Sequence, residues 1–168
     1  MKTTILVDND AQEGLGCEWG FSALIETDGA TILLDSGASG LFAQNAQALG
    51  INLADVDYCV LSHAHFDHAD GFGDFFAIND HAPLLIRSSC EETCWSDAKG
   101  DMKYIGIQRG LLEQQALRIE RVDGTLQFAP GAWLLGHDTK GLEAIGEREH
   151  LYLKTCLLYT SDAADDKA

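Results

Sequence analysis

Positive charge is scarce in this chain. Eleven Lys and Arg stand against 27 Asp and Glu, for a formal net charge of −16 at pH 7. A surface of that sign repels phosphate backbones and anionic bilayers, so nucleic-acid and membrane partners are not expected. Long apolar runs are also missing, and none approaches the length needed to cross a bilayer. After Met1-Lys2 the chain passes directly into Thr3-Thr4 and a short Ile5-Leu6-Val7 stretch, without the apolar core of a secretory leader. Cysteine is limited to five irregularly placed residues, Cys17, Cys59, Cys90, Cys94 and Cys156. An odd number without a framework argues against a disulfide scaffold, and Cys90 and Cys94 read as two free thiols. A cytoplasmic protein is the expectation. There is no internal repeat, and 168 residues with 46% hydrophobic content suit one domain.

What is present is concentrated in Ser62-His63-Ala64-His65-Phe66-Asp67-His68. Three of the six histidines and a carboxylate fall within six positions. Neutral imidazole and carboxylate are the N and O donors that zinc or iron takes at about 2.0–2.2 Å. His63 and His65 cannot share a helical face, where side chains meet at i+3 and i+4. On an extended backbone, i and i+2 point the same way and can grip one ion. Asp67 and His68 fall where a helix could begin and can face a second ion.

The surrounding pattern is strand-rich. Residues 4–8 read as a strand ending in the Asp8-Asn9-Asp10 turn cluster, and 13–20 as a loop. Phe21–Thr27 and Thr31–Leu34 read as a hairpin around Asp28-Gly29. Leu41–Leu49 carries helical spacing, with Ser39 as N-cap and Gly50 past its end. A strand is expected at 57–61, a short helix at 72–78 and a strand at 84–86. Glu91–Asp97 is expected to be helical. Ile119–Val122 and Thr125–Phe128 are expected to form a hairpin about Asp123-Gly124, followed by a strand at 133–135 and a loop over 136–146.

Ser62–His68, with the apolar Tyr58–Leu61 before it, resembles the H-x-H-x-D-H signature of the metallo-β-lactamase-fold hydrolases. The resemblance implies an α/β protein (α+β layers), an αββα sandwich of the metallo-β-lactamase type, of which this chain would hold the N-terminal part only. It implies two divalent metal ions, zinc first, with iron or manganese as alternatives. His63 and His65 would bind the first ion and Asp67 and His68 the second. Asp67 would also be catalytic, by orienting the nucleophilic water. Asp35, at the end of Leu33-Leu34-Asp35-Ser36-Gly37, matches the family's outer aspartate, which hydrogen-bonds a ligand histidine and sets its tautomer. Asp8-Asn9 and Glu18-Trp19-Gly20-Phe21-Ser22 resemble the branch of 7,8-dihydropterin-6-yl-methyl-4-(β-D-ribofuranosyl)aminobenzene-5′-phosphate synthase-like proteins. That likeness puts Asp8, Asn9, Glu18 and Trp19 on the substrate side.

The family's later half supplies a third histidine, a bridging aspartate and a last histidine. Between 69 and 155 only His81, His137 and His150 are available, and none stands in the matching context. The expectation is therefore an incomplete domain over 1–155. Residues 156–168, beginning Cys156-Leu157-Leu158-Tyr159-Thr160-Ser161, resemble a translated sequencing adapter and are expected to be an artefactual or disordered tail.

The function expected of the intact parent is metal-dependent hydrolysis of a small molecule, with the fragment itself inactive and the oligomeric state open. Ser62 reads as a loop residue bonding to backbone, and no Ser-His-Asp set is needed. Three alternatives compete. A redox di-iron member of the fold would carry a carboxylate where His65 stands. A nuclease member is disfavoured by the acidic balance. A non-catalytic half-domain is the third.

Overall fold

The computed structural model describes residues 1–136, 143–154 and 159–161. Its first half is built around one six-stranded sheet. Lys2–Val7 (β1) runs antiparallel to Ser22–Glu26 (β2), with an irregularity between Ile5 and Val7. β2 runs antiparallel to Thr31–Leu34 (β3), so the expected hairpin is present. Its turn is closed by the Thr27 N–H to the Ala30 carbonyl at 2.9 Å, and the Thr27 hydroxyl oxygen accepts from Gly29 and Ala30. Tyr58–Val60 (β4) and Leu84–Arg87 (β5) then add in parallel register.

Parallel strands need both faces covered, and these residues supply two apolar faces. Leu33, Cys59, Leu84 and Ile86 share one core with Phe42 and Ala46 of helix Leu41–Ala48 (α1). Phe72 and Phe75 of helix Phe72–Ile78 (α3) join them there. Ile32, Val60 and Leu85, one position out of phase, enter a second core with Val122, Ala129 and Ala132. The alternation follows from the two-residue period of a strand. Burial pushes the Cys59 thiol well up, so it behaves as a small core residue. Phe66–Ala69 (α2) is the single helical turn between β4 and α3. Among the described residues no helix is long and apolar enough to cross a membrane.

Later elements depart from the sequence reading in four places. Glu91–Asp97 is not helical: Cys94–Ser96 (β6) pairs with Lys103–Tyr104 (β7) and with Leu151–Lys154 (β11), a partner far along the chain. Ile119–Val122 (β8) does not form a hairpin with the segment after it. It joins the six-stranded sheet in parallel to β5, while Leu126–Ala129 (β9) pairs with Ala132–Leu134 (β10). The tight turn is thus at Pro130-Gly131, where Gly131 has φ 76°. Part of the loop expected over 136–146 is helix, Glu143–Arg148 (α5), and residues 137–142 lie outside the described residues. Leu111–Gln114 (α4) is a one-turn helix that the reading did not include; the Glu92 carboxylate accepts the Gly110 and Leu112 N–H groups at its start.

A fifth departure lies earlier, at α1, where Gly40 and not Ser39 is the N-cap. Ser39 still contributes, its hydroxyl oxygen accepting from Leu41 N at 3.1 Å. Of the tail expected over 156–168, only Tyr159–Ser161 (β12) is described, and it pairs antiparallel with β11. Among the described residues Cys17, at the surface, and Cys59, in the core, are free thiols.

Asn79, at the C-terminus of α3 and 1% exposed, ties the connections around β4 and β5 together. Its amide donates to the carbonyls of Leu53, Ala54 and Val56, and its oxygen accepts from His81 N and Ala82 N. Arg118 adds two bonds, from Nη1 to the Asn79 carbonyl and from Nη2 to its side-chain oxygen. Truncation orphans several buried backbone groups at once, each costing about 1–3 kcal/mol. Asn79→Ala is expected to lower unfolding free energy by about 2–4 kcal/mol in urea titrations, whereas Leu117→Ala at a fully exposed position should leave the midpoint in place.

Candidate metal centre

The histidine loop begins where β4 runs out. Leu61 N still bonds the Leu85 carbonyl at 3.1 Å, and Ser62 is the first residue beyond the sheet. From there the backbone stays extended because it is paired with a second segment. Phe66 N donates to the Ile105 carbonyl at 2.8 Å and Ile107 N to the Ala64 carbonyl at 2.7 Å, with His65 opposite Gly106. The extended geometry puts the i and i+2 rings together: the centroids of His63 and His65 are 4.7 Å apart. His65 is then the N-cap of α2, with φ −77° and ψ 147°. The helical turn carries His68 back under the loop, 4.2 Å from His63 between ring centroids. Asp67 lies alongside, its Oδ2 3.9 Å from His68 Nε2.

Asp35 sits beneath this cluster, 2% exposed. Its Oδ1 accepts from Ser62 N at 2.7 Å, and its Oδ2 accepts from Ser62 Oγ at 2.6 Å. The same Oδ2 is 2.8 Å from His68 Nδ1. To reach both, Asp35 adopts φ 55°, in the left-handed region that ordinary residues avoid. That conformation costs on the order of 1 kcal/mol and persists where surrounding bonds overdetermine it. Here Asp35 N donates to Val60, and the Asp35 carbonyl accepts from Ser22 Oγ at 2.9 Å.

The backbone of the histidine turn is gripped from two sides. Phe21 N donates to the Asp67 carbonyl at 3.1 Å, and Ser36 N to the His68 carbonyl at 2.8 Å. Both grips require glycine at the closest approach. A Cβ on Gly20, whose φ is 150°, would run into the Asp67 carbonyl oxygen, and one on Gly71 into the Ser36 carbonyl oxygen.

The four residues expected on the substrate side sit along this grip. Asn9 Oδ1 accepts from Gly20 N at 3.2 Å, and the Asp8 carbonyl accepts from Glu18 N at 3.3 Å. Glu18 turns its carboxylate to the 37–39 loop, accepting from Ala38 N at 2.9 Å and Ser39 Oγ at 2.7 Å. Trp19 is 69% exposed, next to Gly20 and hence next to the Asp67 backbone. His81 lies against Asp80, and His150 Nδ1 is 2.8 Å from Asp97 Oδ1. His137 is outside the described residues.

Two participants were not singled out from sequence. The sequence suggests only a backbone-bonding role for Ser62, yet its hydroxyl lies between Asp35 and His63, 3.0 Å from His63 Nδ1. Asp70 accepts from Gln108 N at 2.7 Å and so docks the 105–108 segment to the loop. Burial raises the Asp70 carboxyl, the Gln108 bond opposes this, and the negative charge of Asp67 adds to the rise. Ser62 could have been noticed from its place between a strand end and a histidine. Asp70 has no local signal, because its partner is 38 residues away.

Three imidazoles and a carboxylate are the donor types a divalent transition metal takes, and the chemistry of the set fits. Among the described residues, no group of three or more His, Cys, Asp or Glu side chains is arranged to hold an ion. The loop therefore presents donors without closing a site by itself.

The fold and this loop define a class. The model of the metallo-beta-lactamase superfamily matches residues 16–150, and the chain belongs to that superfamily, whose members are in general metal-dependent hydrolases. It is similar to the uncharacterised protein MJ0448 of Methanocaldococcus jannaschii, 35% identical over 111 residues, covering 65% of this chain and 41% of that protein. It is also similar to the anti-Pycsar protein Apyc1 of Saccharibacillus brassicae, 28% identical over 115 residues, covering 65% of this chain and 46% of that protein. Among solved structures, Tm1679, described as a metal-dependent hydrolase of the β-lactamase superfamily, aligns with a TM-score of 0.74 at 22% identity. That alignment covers 96% of this chain and 57% of the other and establishes the shared fold. The chain spans less than half the length of the two curated relatives.

The glycine contacts lead to a paired expectation. Gly71→Ala should lower thermal stability by about 1–3 kcal/mol, because backbone oxygens cannot give way. Gly73→Ala, inside α3 with only the Gln108 side chain near its Cβ position, should gain about 0.5–1 kcal/mol from helix propensity. Calorimetric melts of the two variants against the parent check both signs.

Proposed function

We propose that this chain carries the first-half ligand set of a metal-dependent hydrolase acting on a small molecule. The observation that supports it is the gathering of the His63, His65 and His68 rings within 4.2 and 4.7 Å centroid distances beside the Asp67 carboxylate. His63 and His65 would hold one divalent ion, and Asp67 and His68 a second, with zinc the first choice for this mixed N and O donor set. When bound, such ions acidify water and polarise a carbonyl or phosphoryl oxygen.

The chain's own residues supply position. Asp35 holds the His68 ring, and Ser62 anchors the turn at the end of β4. Asp67, its carbonyl held by Phe21 N, keeps a carboxylate where a nucleophilic water can be oriented. Trp19 and Glu18 border the approach, Glu18 by shaping the 37–39 loop and Trp19 by offering an exposed indole. The Asp8-Asn9 and Glu18–Ser22 segments favour the dihydropterin-linked synthase-like branch. The net charge of −16 favours a small substrate over nucleic acid or membrane. Turnover requires donors beyond these four, so on this reading the 168-residue chain holds zinc only weakly and without efficient hydrolysis.

Zinc retention after equilibrium dialysis, measured by elemental analysis on the 168-residue chain, tests the assignment. The parent should retain zinc, and His63→Ala/His65→Ala should lose at least about tenfold in affinity with an unchanged far-ultraviolet spectrum. Equal zinc content in both would remove the ligand assignment.

A further inference from the structure

We propose that Ser62 is a positioning residue through which Asp35, the carboxylate that faces His68 directly, also sets the tautomer of His63. The inference rests on the metal-centre reading above, but its central claim concerns protons and not metal. A serine hydroxyl has one hydrogen to give and lone pairs to receive. Ser62 Oγ lies 2.6 Å from Asp35 Oδ2 and 3.0 Å from His63 Nδ1. A carboxylate oxygen only accepts, so the hydroxyl hydrogen goes to Asp35. The Ser62 oxygen is then left to accept, and the donor it faces is the Nδ1–H of His63. The same Asp35 Oδ2 faces His68 Nδ1 at 2.8 Å and fixes the hydrogen of that ring on Nδ1 as well.

Both neutral rings are thereby left with a lone pair on Nε2, the atom that can bind an ion. The carboxylate cannot swing away to serve one ring at the expense of the other. Its second oxygen is held by Ser62 N at 2.7 Å, and the side chain is 2% exposed. His63 and His68 belong to different ions in the proposed site, so two metal positions share one acceptor. The link to His68 is direct, and the link to His63 runs through Ser62. The two should therefore separate under mutation.

The test is long-range ¹H–¹⁵N correlation of the imidazole nitrogens in the metal-free protein at mildly alkaline pH. The parent should show Nδ1–H at both His63 and His68. Ser62→Ala should release His63 toward the Nε2–H form and leave His68 unchanged, whereas Ser62→Thr should keep both rings as in the parent. Nε2–H at His63 in the parent, or no change there in a folded Ser62→Ala variant, overturns the proposal. If Ser62→Ala does not fold, the parent and Ser62→Thr spectra decide it. Zinc dialysis is a separate arm: Ser62→Ala should lose about 10–100-fold in affinity, with recovery in Ser62→Thr. Should no variant bind zinc while the tautomers behave as stated, the metal-centre reading fails and the role of Ser62 stands.

Discussion

The buried carboxylate of Asp35 is the constraint on which the candidate centre depends. It sits where a strand of the central sheet ends, in a backbone conformation that costs free energy, and receives donors from a segment 27 residues later. Ser62 N and Oγ and the His68 ring all address its two oxygens. A buried carboxylate without such partners would be too costly to keep. Its presence therefore specifies the loop: the chain after β4 must place a backbone N–H, a hydroxyl and an imidazole around Asp35, and one helical turn after an extended stretch does so. The left-handed φ of Asp35 is tolerable because Ser22 and Val60 hold the peptide groups on either side.

The site's other supports are backbone contacts more than side-chain ones. The carbonyls of Asp67 and His68 are taken up by N–H groups of Phe21 and Ser36, so the side chains of the turn need not also hold it in place. Close backbone approach of this kind is what makes Gly20 and Gly71 necessary. Glu18 performs a related task on the neighbouring loop, where its carboxylate binds Ala38 N and the Ser39 hydroxyl. That leaves Trp19 as the exposed member of the group that was expected to meet substrate. A framework carried by backbone bonds and one buried acid leaves the exposed rim open to variation, which suits a fold that hosts many substrates.

Local pattern was sufficient for much of the first half of the chain. The hairpin of β2 and β3, the helices α1 and α3, and the strands β4 and β5 follow from two-residue and helical periodicities with Gly and Asp at the turns. Where the reading erred, the deciding partner was distant. β6 is a strand because Leu151–Leu153 lies beside it, and β8 leaves its expected hairpin because β5 offers a parallel edge in the main sheet. Short segments of four or fewer residues carry too little intrinsic preference to resist such pairing.

The sequence alone determined which atoms are available: three imidazoles and a carboxylate on six consecutive positions, an extended approach that sets His63 and His65 on one side, and Asp35 at a strand end. These are properties of spacing and residue type, and spacing along a chain is local. The tertiary structure decided how those atoms are connected. That Ser62 gives its hydrogen to Asp35, that Gly20 and Gly71 admit neighbouring carbonyls, and that Asp70 docks the 105–108 segment all depend on residues brought together from 27 to 47 positions apart. Hydrogen bonds are short and directional, so their partners exist only once packing has set both ends within about 3 Å.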